Sequence, residues 1–244
     1  MGKPDIIYED NDIIVCCKPA GIATQTRRIG QQDMESFIRN YRAAKNEPPY
    51  VGIVHRLDQP VEGVMVFAKN QKAAASLSRQ IKEHTTQKYY RAASRGQGMS
   101  GTDKKEDNHD PAWHTLIDYI SFDKRTNTSK ITSEKDRLAK KAVLQYRVIS
   151  VTPDMDSSQN ECIKTEFDIK LLTGRHHQIR LQLAHIGYPL IGDTKYGKPA
   201  SNNSGMGSKS GHTGGGAREQ LALCSYKIVF DHPATGERMT FVLP

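Results

Sequence analysis

Strand-period alternation over residues 144–171 constrains this chain more than any other feature. Leu144, Tyr146 and Val148 alternate with Gln145 and Arg147, and after a polar break Ile163, Phe167, Ile169 and Leu171 alternate with Lys164, Asp168 and Lys170. A period of two sends one set of side chains to each face of an extended strand. The two runs therefore read as long half-buried strands, and antiparallel pairing is the simplest way to join them.

Shorter elements precede them. Asp5 to Lys18 holds two β-rich runs broken by the polar Glu9-Asp10-Asn11-Asp12, which is a hairpin signal. Met34, Phe37, Ile38 and Tyr41 recur at helical spacing after Asp33, and Pro48-Pro49 ends that helix. Val51–Val54 and Val64–Ala68 read as strands around a polar stretch, His55 to Gly63. Asn70 can cap a helix running to about His84, with Ala73, Leu77 and Ile81 on its buried stripe. Lys88 to Ser94 returns as a strand. A further helix, His177 to Ile186, opens at the Thr173-Gly174 turn, with Ile179, Leu183 and Ile186 on one stripe. Residues 96–111 lack periodicity, and 201–216 hold six Gly and four Ser; both are expected to be mobile loops inside a single domain spanning 1–244.

At 244 residues the chain can bury a sizeable core without disulfides. Its four cysteines include no Cys-x-x-Cys spacing, so zinc knuckles and redox dithiols are not suggested and reduced, mostly buried thiols are expected. No apolar run approaches the roughly 18 residues needed to cross a bilayer. The first residues lack the apolar stretch of a secretory signal, so a cytoplasmic monomer without membrane contact is expected. The formal net charge is +8, and between Lys69 and Arg95 seven basic residues face one acid, Glu83. Such a local excess suits a polyanionic partner, although basic proteins with other partners are common.

Two loops carry chemistry. His55-Arg56-Leu57-Asp58 places an imidazole, a guanidinium and a carboxylate within four positions, between strands that fix the loop's ends. The bland reading is a solvated loop. Thr173 to Arg180 places Arg180 about one turn into a helix, where it can reach a partner carboxylate; taken alone, it reads as an ordinary surface arginine. His176, His177 and His185 lack companion ligands at a recognised spacing, so no metal site is expected.

Taken together, these strings resemble a known family. Tyr8 to Val15 with Lys18-Pro19-Ala20-Gly21, then His55-Arg56-Leu57-Asp58, Lys88-Tyr89-Tyr90-Arg91-Ala92, Thr173-Gly174-Arg175 with His177-Gln178-Ile179-Arg180, Gly192-Asp193-Thr194-Lys195-Tyr196-Gly197 and the closing Asp231 to Gly236 are similar, in order and spacing, to the RluA family of pseudouridine synthases. The resemblance implies an α+β fold with a mixed, mainly antiparallel sheet flanked by helices and loops. It implies isomerisation of uridine to pseudouridine within rRNA or tRNA, without metal or organic cofactor. Asp58 matches the family's catalytic aspartate, Arg180 the arginine that pairs with it, and Tyr90 the active-site tyrosine. Tyr89 is the competing choice, which strand alternation sends to the opposite face. Arg56 matches the arginine that fills the base stack when the target nucleotide swings out. Lys69, Lys72, Arg79, Lys82 and Lys88 are candidates for phosphate contact, against a solvated helix face for the first four. His55 reads as structural.

The chain departs from the family pattern after Asp58, where Val61-Glu62-Gly63 stands in place of Thr-Ser-Gly. Glu62 is expected to point away from Asp58 toward a cationic neighbour, since adjacent carboxylates would raise one pKa. A second expectation is that no S4-like RNA-binding domain precedes Tyr8, leaving recognition to the catalytic domain, its loops or the RNA fold. Two other functions stay open at this stage. One is an inactive RNA-binding protein of this fold; the other is a glycosidase using Asp58 with Glu62 as paired carboxylates.

Overall fold

The computed structural model describes residues 4–26, 28, 30–95, 112–155, 160–197 and 219–243. The loops expected at 96–111 and 201–216 lie outside them. Among the described residues, eleven strands form one sheet: β1 (Asp5–Glu9), β2 (Ile13–Lys18), β3 (Gly52–Ile53), β4 (Glu62–Ala68), β5 (Gln87–Ser94), β6 (His114–Asp123), β7 (Thr128–Thr132), β8 (Lys140–Met155), β9 (Glu161–Leu171), β10 (Leu223–Asp231) and β11 (Arg238–Val242). Three helices accompany them, α1 (Met34–Ala44), α2 (Gln71–Lys82) and α3 (Gln178–His185).

The sheet order is β1-β2-β4-β10-β5-β9-β8-β6-β7, with β3 on β4 and β11 on β10. The β4–β10 contact is parallel and the other pairings are antiparallel, so the sheet is mixed and mainly antiparallel, as expected. The alternating runs at 144–148 and 163–171 lie in β8 and β9, with Leu144 opposite Leu171 and Tyr146 opposite Ile169.

Burial explains the patterns. One face carries Ile14, Cys16, Met65, Phe67, Tyr90, Leu144, Phe167 and Ile169, covered by Met34 and Ile38 of α1 and Ile179 and Leu183 of α3. On the other face, Ile13, Val15, Val64, Val66, Ile228 and Phe230 pack against Ala73 and Leu77 of α2. Strands β2 and β4 are buried on both sides, which is why their sequences run apolar without alternation. In β5, β9 and β8 the second face is polar instead. There Asp168, 2% exposed, accepts from Arg147 Nη2 at 3.0 Å and from the Tyr226 hydroxyl at 2.9 Å, with Arg91 at 3.8 Å.

The helix ends follow local chemistry. Asp33 caps α1 with a reciprocal bond to Ser36, and the Asn70 side chain accepts from the Ala73 N–H to start α2. Helix α2 stops at Lys82, before His84 turns to φ 60°. Its buried stripe includes Gln80, whose amide exchanges two hydrogen bonds with the Asp231 backbone, while Ile81 is only half-buried. Helix α3 differs more from expectation: residues 178–183 are all buried, so it is an interior helix and not an amphipathic surface one. Strands β6, β7, β10 and β11 have no counterpart in the sequence reading. Cys16 alone among the thiols is fully buried; Cys17, Cys162 and Cys224 are half-buried, and none of the four is in a disulfide. Among the described residues no helix is long and apolar enough to cross a membrane.

Two charged knots tie the strands to the helices. The Asp10 carboxylate closes the β1–β2 turn by accepting from the backbone N–H groups of Asp12 and Ile13, and His232 meets it at 2.8 Å from the far end of the chain. His232 Nδ1 accepts from Ala234 and Thr235, so Nε2 carries the proton given to Asp10. Glu9 accepts from Tyr41 of α1, from Lys45 at the C-cap of that helix and from Lys69, which follows β4. Burial raises the Glu9 carboxyl, but the hydrogen bonds from Lys45, Lys69 and Tyr41 outweigh it and bring it down to about 2.

Two outcomes are expected. At Gly63, φ is 142° and an added Cβ would lie 2.4 Å from the Ser225 carbonyl oxygen, so Gly63→Ala must push β4 from β10. Chemical denaturation should show a loss of about 2 kcal/mol or more; an unchanged midpoint would contradict the close approach. Glu9→Gln should be less stable than the wild type at pH 7. Because the folded carboxyl is depressed, that advantage is present above pH 4.5 and fades as pH falls toward about 2. A stability gap that does not vary with pH would contradict the charged knot.

Candidate active site

A cleft of about 1040 Å³ opens between the His55–Val61 loop, the end of α2, strand β5 and the turn into α3. Arg56, Lys82, Lys88, Arg175 and Arg180 line it, and Asp58 is the only carboxylate among the described lining residues. The cleft is therefore cationic around one anion.

The loop carrying Asp58 is held from below by a buried lysine. Lys18 is 0% exposed, and its ammonium donates to the carbonyls of Pro19 at 3.0 Å, Ile22 at 2.7 Å and Gln59 at 3.2 Å. Three acceptors compensate the lost hydration, yet burial still lowers its pKa to about 8, against the pull of Asp58. Thr24 adds a second tie, its hydroxyl donating to the Leu57 carbonyl and accepting from the Leu57 N–H. His55 accepts from the Val66 N–H at Nε2; burial lowers it to about 3, so it is neutral and structural, as its placement in the sequence suggested. Arg56 remains exposed at the cleft, next but one to Asp58.

Helix α3 supplies the other wall. Thr173 is tied to β8 through Val143, and its hydroxyl donates to Gln178 Oε1, which also accepts the Arg175 N–H. The Gln178 side chain thus ties the start of α3 to the turn that precedes it. Arg180 is 4% exposed, which overturns the reading of a surface arginine. Its Nε and Nη2 grip Asp193 at 2.8 and 2.7 Å, and Nη1 is left 3.6 Å from Asp58 Oδ2. The tight partner is therefore Asp193, and Asp58 receives the remaining arm. Asp193 also accepts from the backbone N–H groups of Lys195 and Tyr196; burial raises it, and Arg180 with these donors lowers it further than burial raises it. The motif Gly192-Asp193-Thr194 marked this position in the sequence, without saying what it held. Gly192, at φ 73°, lets the segment pass within contact of Gln220.

Tyr90 lies on β5 with its ring 5% exposed in the cleft, while Tyr89 points to the other face beside Gln87 and Tyr226. Burial pushes the Tyr90 hydroxyl up, so it is a neutral phenol suited to stacking and hydrogen bonding. Lys88 also lines the cleft, and burial lowers its pKa; among the described residues its ammonium has no hydrogen-bond or ion-pair partner.

The cations grouped with α2 separate. Lys82 is exposed at the cleft, and Lys72 and Arg79 are exposed away from it. Lys69 is a correction: it is 8% exposed and its ammonium lies 2.8 Å from Glu9 and 2.9 Å from Glu47, so it is a neutralised structural cation. Sequence periodicity missed this because both partners lie outside the helix. The histidines do not form a ligand set either: His185 meets Asp118 at 3.2 Å, and His176 stacks on His177 with centroids 3.7 Å apart.

Glu62 sits on β4 opposite Cys224 and does not line the cleft, where Val61 appears instead. No ion pair joins it to a described residue; the cation that its charge acts on is the buried Lys18, and the same charge raises the Cys17 and Cys224 thiols, secondary to their burial. With Glu62 outside the cleft, a paired-carboxylate glycosidase has no second carboxylate there.

Comparison with known proteins places this geometry. Residues 12–185 match the family model described as RNA pseudouridylate synthase. The chain is 30% identical over 241 residues to the ribosomal large subunit pseudouridine synthase D of Neisseria meningitidis serogroup B, covering 98% of this chain and 58% of that protein. It is 28% identical over 238 residues to the tRNA pseudouridine synthase C of Pectobacterium carotovorum, covering 97% of this chain and 57% of that one. The chain thus spans less than two thirds of these relatives. The solved structure of human RNA pseudouridylate synthase domain containing 4 shares the fold, with a TM-score of 0.68 at 21% identity over 98% of this chain and 88% of the human one. A family match over most of the chain, on the motifs that build the cleft, makes this chain a member of the RNA pseudouridylate synthase family, of the RluA type that its sequence resembles.

Proposed function

We propose that the protein isomerises uridine to pseudouridine within structured RNA, rRNA or tRNA. The observation that carries the reading is the lone Asp58 carboxylate at the floor of a cationic cleft, faced by a buried arginine and a neutral tyrosine. The reaction breaks the N1–C1′ bond and forms a C5–C1′ bond; N1 gains a proton and C5 loses one. Nothing is oxidised or reduced, so the atoms balance without a co-substrate. Asp58 serves as the nucleophile that holds one fragment while the uracil turns. Arg180, clamped by Asp193, holds a fixed positive charge beside that carboxylate.

The remaining groups suit a flipped nucleotide. Tyr90 offers a ring face to the uracil, and Arg56, exposed beside the cleft, can occupy the gap in the base stack. Lys88 and Lys82 supply positive charge where phosphates must pass. Relatives named for rRNA and for tRNA support RNA as the substrate class and do not choose between the two.

Asp58→Asn should lower turnover at least about a thousandfold, read as tritium released from 5-tritiated uridine in bulk RNA, with RNA binding kept within about threefold. Comparable turnover would mean that another group is the nucleophile. The basic residues are separable by salt dependence. Lys82→Gln should reduce the slope of log K against log salt by up to about 0.9, while Lys72→Gln and Arg79→Gln, placed away from the cleft, should change it less. An unchanged slope in Lys82→Gln would return Lys82 to the solvated helix face.

A further inference from the structure

His177 is the unusual residue of the site. It precedes α3 at φ 53° and ψ 27°, a left-handed conformation that a side chain resists, and it makes no capping hydrogen bond. The backbone so placed directs its ring inward, with the side chain 6% exposed. Nε2 then lies 3.5 Å from Asp58 Oδ2, as close as Arg180 Nη1 at 3.6 Å. Nδ1 lies 2.9 Å from the Tyr196 hydroxyl.

The hydrogen-bond inventory sets the tautomer. Tyr196 Oη accepts the Ser129 N–H at 2.9 Å. Its own proton needs an acceptor, and His177 Nδ1 lies within hydrogen-bond distance at 2.9 Å. The Ser129 hydroxyl, which donates to the His176 carbonyl, has no second proton to give, and the Asp58 carboxylate that faces Nε2 is an acceptor and asks for a proton there. Nδ1 of His177 therefore accepts, and in the neutral ring the proton sits on Nε2, facing Asp58. A charged ring is opposed by burial first and then by Arg180 and His176, which lower its pKa to about 3.

We propose that His177 is a positioning residue for Asp58, a neutral imidazole locked by Tyr196 with its proton on Nε2, which orients the carboxylate while Arg180 supplies the charge. The inference rests on the assignment of Asp58 as the nucleophile. Both donors address Oδ2, so Oδ1 is the oxygen turned to the reacting nucleoside. A neutral donor orients the anion without adding a second cation that would weaken it as a nucleophile. The 3.5 Å contact is longer than a closed hydrogen bond and shortens when a nucleotide fills the cleft and expels water.

The test uses the full chain labelled with 15N-histidine. Long-range 1H–15N spectra at pH 7 should show His177 protonated at Nε2 only, and Tyr196→Phe should mix the tautomers. Protonation at Nδ1 in the wild type overturns the proposal, whatever any variant does. In single-turnover tritium release from bulk RNA, His177→Asn should slow the rate about tenfold with the binding midpoint unchanged, the effect of one lost donor to a charged group. His177→Gln, whose amide nitrogen reaches the place of Nε2, should recover the rate to within about threefold of the wild type. Equal rates in the Asn and wild-type proteins overturn the proposal. If the wild type releases no tritium, the functional reading fails, while the tautomer measurement stands independently of it.

Discussion

Arg180 is the group around which the site is organised. A guanidinium 4% exposed is tolerable only if its donors are met, and Asp193 meets two of them with fork geometry. Removing either partner would leave a buried charge uncompensated, at a cost of about 3–5 kcal/mol. That requirement reaches far along the chain. It holds the 190–197 segment against α3, needs Gly192 for the close approach to Gln220, and leaves one arm of Arg180 free for Asp58. Structural stability and chemical competence thus share one ion pair.

The opposing wall solves the same problem with a different cation. Lys18 is fully buried under the Asp58 loop and is satisfied by three carbonyls. Because those carbonyls come from Pro19, Ile22 and Gln59, one ammonium joins the end of β2 to the loop that follows β3. Thr24 repeats the tie at Leu57. A loop pinned at 57 and 59 leaves little freedom to Asp58 between them, and preorganisation of this kind suits the role proposed for it.

Legibility from the sequence followed the range of the interactions. Asp33 and Asn70 could be identified as caps because a cap bonds a backbone group three residues away. Strand β9 and the buried face of α2 could be read because burial repeats with the period of the backbone. Lys69 was grouped with the cations of α2 because it stands just before that helix, whereas its partner Glu9 is 60 residues away. Arg42 leaves no signal in the sequence: it sits in a helix of good amphipathic pattern, and its guanidinium is buried on the carbonyls of Tyr50 and Lys69. His177 read as one of three unexceptional histidines, since neither its positive φ nor its hold on Tyr196 leaves a mark in the local pattern.

The sequence by itself determined the strand and helix periods, the absence of any membrane-length apolar run, and, through the order of its short motifs, the family and the identities of Asp58, Tyr90 and Arg180 as candidates. These depend on residue type and spacing, which a linear string contains. Only the tertiary structure decided that Arg180 is buried and clamped by Asp193, that Lys18 anchors the loop, that Lys69 is neutralised while Lys82 reaches the cleft, and that Glu62 stands outside it. The physical reason is that charge partnership and burial are set by groups brought together across the sheet. A buried ion is placed by whichever acceptors the packed strands present to it, and those acceptors are strangers in sequence.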